Sequence, residues 1–161
     1  MRELELQGAL LKAIKLATKL HEGQVDKSNK PYILHPMRVM ESLDDIECKI
    51  LGALHDVIED CDIDEEGLIE AGIPEYLVRK LPLLSKKKGE KYFDYILRAK
   101  SDELTRKVKL ADLKDNMDLS RLYPDIDKSK CYDTTYLKGY LKEKDFKRYE
   151  KYLIATEMLN K

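Results

Sequence analysis

The stretch Ile50–Asp60, Ile-Leu-Gly-Ala-Leu-His-Asp-Val-Ile-Glu-Asp, places one imidazole and three carboxylates within six consecutive positions, His55 to Asp60, directly after an apolar run. Imidazole and carboxylate are ligands for a divalent cation, and carboxylates also move protons. Cys48, Leu51, Leu54 and Ile58 recur at three- and four-residue steps, so the spacing predicts one helix with a buried face. On that helix His55 stands one turn below Glu59, and Asp56 one turn below Asp60. Each column pairs a possible metal ligand with a possible acid or base. The same residues also suit a plain solvated helix end. Acids at a helix C-terminus are disfavoured by about 0.3–1 kcal/mol each, an objection that a bound cation removes.

Two further positions supply what such a cation needs. His35 precedes Pro36, and a proline at the first helical position predicts a helix carrying Val39, Met40 and Leu43 inward. His35 is then expected just before that helix, on a backbone restrained by the proline. Asp112 lies among Leu104, Val108, Leu110, Ala111, Leu113 and Met117, on what reads as the broad apolar face of a helix over 102–119. A carboxylate there is costly unless it is paired, hydrogen-bonded or metal-bound. His35, His55, Asp56 and Asp112 together make a two-histidine, two-carboxylate donor set. Nitrogen and oxygen donors without thiolate suit manganese, iron, zinc or magnesium, and two imidazoles argue against magnesium alone. Such a cation acidifies a bound water and polarises a phosphoryl oxygen; Glu59 and Asp60 are then placed for acid–base work.

The elements that must carry these groups read as helices throughout. Residues 3–22 show a helical face at Leu10, Ile14, Ala17 and Leu20 or His21, closed by Gly23. His21 suits the end of that helix electrostatically and is read as structural. Residues 24–34 are a loop by their turn residues and proline. Asp62 and Asp64 offer caps for a short helix ending at Gly72, Pro74 opens another, and Pro82 ends or bends it. Lys86-Lys87-Lys88-Gly89 is a basic turn, either solvated or facing phosphate. Tyr92, Tyr95 and Ile96 point one more helix inward, and the chain beyond Pro124 reads as one or two helices packed by Tyr132, Tyr136, Tyr140, Phe146, Tyr149 and Leu153. No stretch alternates with period two, so the fold class is all-α.

Composition bounds the function. The length of 161 residues is that of one domain with its own core, and an apolar fraction of 43% excludes disorder. Thirty basic and 31 acidic residues leave a net charge of −1, which argues against nucleic acid or an anionic membrane as partner. Cys48, Cys61 and Cys131 are odd in number and lack metal-type spacing, as in reduced, cytoplasmic proteins. No apolar run reaches the roughly 20 residues of a membrane span, and no signal peptide is evident.

Taken in order, His21-Glu-Gly-Gln24, Lys27-Ser28, Pro31-Tyr-Ile33 with His35-Pro36, Ala53-Leu-His-Asp-Val-Ile-Glu-Asp60, Gly89-Glu-Lys-Tyr92 and Val108-Lys-Leu-Ala-Asp112 with Asn116 resemble the HD-domain phosphohydrolases. More closely, they resemble the hydrolase domain of the RelA/SpoT family. The resemblance implies an HD-domain helical bundle over 1–161, with its motifs inside 21–119 and the helices of 127–160 packing on it. It also implies a Mn²⁺ site, other divalent cations being possible, and removal of the 3′-pyrophosphate of guanosine tetra- or pentaphosphate to give GDP or GTP and pyrophosphate. By position it makes His35, His55, Asp56 and Asp112 the ligands, with Glu59 and Asp60 acting on the water. Lys27, Ser28 and Asn116 match nucleotide contacts, and Tyr136 a ribose contact. No synthetase domain follows, as in a stand-alone alarmone hydrolase.

Two departures stand out. Asp26 occupies the position where the family often has an arginine that helps hold the base, and Leu84-Ser85 replaces the usual Leu-Thr before the basic turn. Asp26 leaves room for a different phosphorylated nucleotide, such as NADPH or a nucleoside monophosphate. A non-catalytic nucleotide-sensing module is the reading from another class, and the intact Glu59-Asp60 pair counts against it. The sequence does not set an oligomeric state.

Overall fold

The structure is a computed structural model that describes residues 2–161. Ten α-helices and three short 3₁₀ turns form among the described residues, as the all-α reading expects; extended pairing is confined to one isolated antiparallel bridge between Val25 and Pro31. Among the described residues no helix is long and apolar enough to cross a membrane.

Helix α3 (Ile46–Leu54) is the axis of the molecule. Asp45 caps it by accepting the Glu47 and Cys48 backbone N–H groups, and Cys48, Ile50, Leu51, Gly52, Ala53 and Leu54 are all buried. From Ile50 to Leu54 every residue is buried, so that part of the helix must be surrounded, and α1 (Glu3–Leu20), α2 (Leu34–Glu41) and α8 (Glu103–Asn116) pack around it. The buried stripe of α1 is Leu6, Ala9, Ala13 and Ala17; of the expected face, Ala17 and His21 are buried, while Leu10, Ile14 and Leu20 lie half-buried on its flank. The three alanines let α1 lie close to α3, while the larger side chains fill its flanks. Gly52 serves the opposite side: a Cβ there would sit 3.0 Å from Leu43 Cδ1 and 3.3 Å from Met40 Cα. Only glycine lets α2 and α3 approach so closely; α2 carries His35, and α3 leads directly into His55.

The predicted single helix over 50–60 is broken. It ends at Leu54, and a four-residue helix α4 (Val57–Asp60) restarts after His55 and Asp56. The physical reason is angular: consecutive residues on a continuous helix point about 100° apart. His55 and Asp56 can face one site only if the helix breaks between them, and Asp56 adopts φ −103°, ψ −4°. His35 is also displaced from expectation. It lies inside the first turn of α2, with Pro36 after it, because the first turn leaves backbone N–H groups unpaired and so tolerates proline.

Beyond α4, Asp64 caps α5 (Glu65–Glu70), and α6 (Glu75–Val78) follows Pro74. Pro82 lies in a 3₁₀ turn, Leu81–Leu84, so α6 stops before it. Helix α7 (Tyr92–Lys100) buries Tyr95, Ile96 and Ala99, and Asp102 caps α8. After two more 3₁₀ turns, α9 (Thr134–Tyr140) and the 18-residue α10 (Glu143–Asn160) close the chain. Leu113, Tyr95 and Ile96 join Ala155 and Leu159 in a cluster that fastens α10 to α7 and α8.

Candidate metal centre and adjoining cavity

Helix α2 delivers His35, the break after α3 delivers His55 and Asp56, and α8 delivers Asp112. Their donor atoms converge. The two Nε2 atoms are 3.2 Å apart. Asp112 Oδ1 is 3.0 Å from His35 Nε2 and 3.4 Å from His55 Nε2. Asp56 Oδ2 is 3.0 Å from His55 Nε2 and 3.7 Å from His35 Nε2. The other face of each imidazole is already committed. His55 Nδ1–H donates to the Gly52 carbonyl at 2.7 Å, and His35 Nδ1–H donates to Asp115 Oδ2 at 2.7 Å. Neutral imidazoles so held present bare lone pairs to one another and to two carboxylate oxygens. Such an arrangement requires a positive charge at its centre, and this donor set fits a divalent cation.

Without a cation, the surrounding carboxylates draw protons onto the histidines instead. Burial opposes protonation of His55, yet Asp56 and Asp112 hold its pKa well above the ordinary value. His35 is raised as well, against its burial, by Asp112 and Asp115. Asp112 resists burial in the other direction: Lys109 and His55 keep it well below the usual carboxylate range.

Residues around the donors hold them in place, and the sequence reading gave none of these four, Asp115, Arg38, Lys109 and Tyr32, a role. Asp115 orients His35 and is itself clasped by Arg38, Nε to Oδ1 at 2.8 Å and a second N–H to Oδ2 at 3.1 Å. Lys109 is buried, with Nζ 2.7 Å from Asp112 Oδ2. Tyr32 donates its hydroxyl to Asp56 Oδ2 at 2.5 Å. Their signal was present: Lys109 and Asp115 flank Asp112 at three-residue steps, the spacing of one helical face. An apolar pattern that already contains one charge does not announce a second.

Glu59 and Asp60 come to the same neighbourhood, their carboxylates lying with that of Asp56 inside a 4.8 Å group. Both are exposed. Glu59 Oε1 accepts the Lys86 backbone N–H at 2.8 Å, which ties it to the basic turn. Burial and the neighbouring Asp56 and Glu59 push the Asp60 carboxyl up to about 6. The turn itself is held by Arg98, which grips Glu90 and the Pro82 and Ser85 carbonyls, while Lys86, Lys87 and Lys88 remain exposed.

A cavity of about 480 Å³ opens beside His35, a size within the range of small-ligand sites. Lys27, Ser28 and Asn116 line it, as does Arg148 from α10. Asn116 also donates to Asp112 Oδ1 at 3.0 Å, so it links cavity and donor set. Burial and the nearby Arg148 lower the pKa of Lys27, which makes no ion pair among the described residues. Asp26 is explained by the loop: its Oδ1 accepts the Ser28 and Lys30 N–H groups, bending the chain through Asn29 at φ +61°. Tyr136 does not line the cavity. Its ring stacks on Tyr140 and its hydroxyl accepts the Asp127 N–H, because α9 turns that face toward a separate apolar cluster.

The chain is similar to several known proteins. A guanosine-3′,5′-bis(diphosphate) 3′-pyrophosphohydrolase of Vibrio cholerae is 35% identical over 132 residues, which is 73% of this chain. This is a RelA/SpoT-type domain. A GTP pyrophosphokinase of Myxococcus xanthus is 34% identical over 123 residues, or 66% of the chain. The RelA/SpoT-type domain spans 19% of the Vibrio relative and 16% of the Myxococcus one. The solved structure of a metazoan ortholog of SpoT, which hydrolyses ppGpp, superposes with a TM-score of 0.61 at 18% identity, covering 94% of this chain and 93% of that one. It therefore shares the fold. No family model matches the chain.

Proposed function

We propose that the protein is a Mn²⁺-dependent 3′-pyrophosphohydrolase of guanosine tetra- or pentaphosphate, acting in the cytoplasm. The observation that carries this reading is the convergence of His35, His55, Asp56 and Asp112 beside a nucleotide-sized cavity. The relatives' names divide between hydrolase and kinase, so the names alone do not choose. The donor set favours hydrolysis, since it supplies what activation of water needs.

His35, His55, Asp56 and Asp112 would hold the cation. When bound it acidifies water and polarises a phosphoryl oxygen. Asp60, beside Asp56, accepts the proton of the attacking water. Glu59, fixed by Lys86 N–H, orients that water or protonates the leaving oxygen. Asn116 hydrogen-bonds the sugar and sets the reacting phosphorus near the donors. Lys27 meets phosphate charge or packs on the base, and Ser28 holds the loop that presents it, through a hydroxyl donated to the Arg121 carbonyl at 3.2 Å. Tyr136, removed from the cavity wall, takes no part in this assignment.

Product analysis after incubation with guanosine tetraphosphate and Mn²⁺ tests the proposal. GDP plus intact pyrophosphate is expected. Release of orthophosphate, or inertness toward the alarmone while NADPH is dephosphorylated, would move the assignment to a phosphatase of another nucleotide. Binding without turnover of any phosphorylated nucleotide would make the protein a sensor.

A further inference from the structure

Lys109 is as anomalous as Asp112. It sits on α8 one turn before Asp112, among Val108, Leu113 and Thr105, and is buried. An ammonium group in such a place is costly unless it is paired. Its Nζ lies 2.7 Å from Asp112 Oδ2 and 4.8 Å from the centroid of the Tyr95 ring, so a carboxylate oxygen and an aromatic face replace its water. Tyr95 is fixed in turn by donating its hydroxyl to the Leu84 carbonyl at 2.9 Å.

The two oxygens of Asp112 are thus divided. Oδ1 faces His35 and His55 and receives the Asn116 amide; Oδ2 is occupied by the ammonium. A free carboxylate can offer a cation one oxygen or both. We infer that Lys109 is a positioning residue which restricts Asp112 to a single oxygen toward the cation, and so keeps a coordination position open for water or a phosphoryl oxygen. This rests on the metal reading above and goes beyond it. Two carboxylates would otherwise be able to chelate, fill the sphere and make a tight but inert site. Because Lys109 and Asp112 share one helix, their spacing does not depend on the loops around the cavity.

The experiment is water-proton relaxation by the Mn²⁺-loaded full chain, with bound Mn²⁺ counted by electron paramagnetic resonance. Six-coordinate Mn²⁺ with four protein donors leaves about two inner waters, and a chelating Asp112 leaves about one. Wild type should show two. Lys109→Met should still bind Mn²⁺, lose about half of the relaxivity per bound ion, and turn over more slowly. Lys109→Gln, whose amide can still donate to Oδ2, should keep the wild-type relaxivity. Unchanged relaxivity in Lys109→Met overturns the inference, as does loss of Mn²⁺ binding there, which would make Lys109 only a support for the fold. Should Lys109→Met not fold, the wild-type count decides: one water overturns the inference, two sustain it. Failure of wild type to bind Mn²⁺ is a different result, and it removes the metal reading itself.

Discussion

Asp115 Oδ2 lies 2.7 Å from Nδ1 of His35, joining residues 80 positions apart in the chain. Arg38 holds the same carboxylate from the other side and, with His35, keeps the Asp115 carboxyl down at about 2 against its burial. Asp115 therefore fixes the tautomer of His35 and directs Nε2 to the centre of the donor set. Asp115→Ala should weaken Mn²⁺ binding by about 10–100-fold, with turnover falling in proportion to occupancy. Titration of the purified variant with Mn²⁺ checks this. An unchanged affinity would mean that burial alone orients His35.

Glu59 and Asp60 lie beside the donors without joining the histidine pair. Glu59→Gln and Asp60→Asn should each abolish turnover while leaving Mn²⁺ bound. Metal content and rate, measured on the same preparations, separate this from a ligating role, in which both would fall together.

Gly52 should tolerate no side chain. Gly52→Ala puts a methyl group 3.3 Å from the Met40 Cα and 3.4 Å from its backbone nitrogen, neither of which can rotate away. The overpacking should cost about 1–3 kcal/mol. It should also weaken metal binding, because α2 and α3 separate and carry His35 away from His55. Thermal unfolding and Mn²⁺ titration report the two effects, and a variant with native affinity would show that the helices adjust elsewhere.

Arg98 organises the basic turn that reaches Glu59. Arg98→Met leaves the Ser85 carbonyl without its partner and the Pro82 carbonyl with the Ser85 N–H alone, and should destabilise by about 1–3 kcal/mol. The loss has a pH signature. Arg98 holds the Glu90 carboxyl down at about 2. A carboxyl depressed in the folded state stabilises fully above its ordinary value of about 4.3, and this contribution disappears as the pH falls toward 2. Chemical denaturation between pH 5 and 2 should therefore be steeper in wild type than in Arg98→Met; equal slopes would count against the pairing.

The sequence by itself determined the fold class and singled out the four candidate donors that the fold brings together. Helical periodicity is written in the order of apolar residues, and Asp112 betrays itself because a lone carboxylate on an apolar face needs a partner. The proline after His35 and the capping aspartates likewise act through neighbours in the chain, so they are legible there. Tertiary structure decided what depends on direction and on distant groups. The break at His55–Asp56 follows from the need for two consecutive side chains to face one point, a need that exists only once His35 and Asp112 are opposite them. The rotation of α1 onto its alanines, the withdrawal of Tyr136 from the cavity and the conversion of Asp26 into a loop brace each answer to packing across the chain. Lys109 makes the limit plain. On a helical wheel it is one more lysine, and only the closed space between Tyr95 and Asp112 turns its charge into a constraint on Asp112.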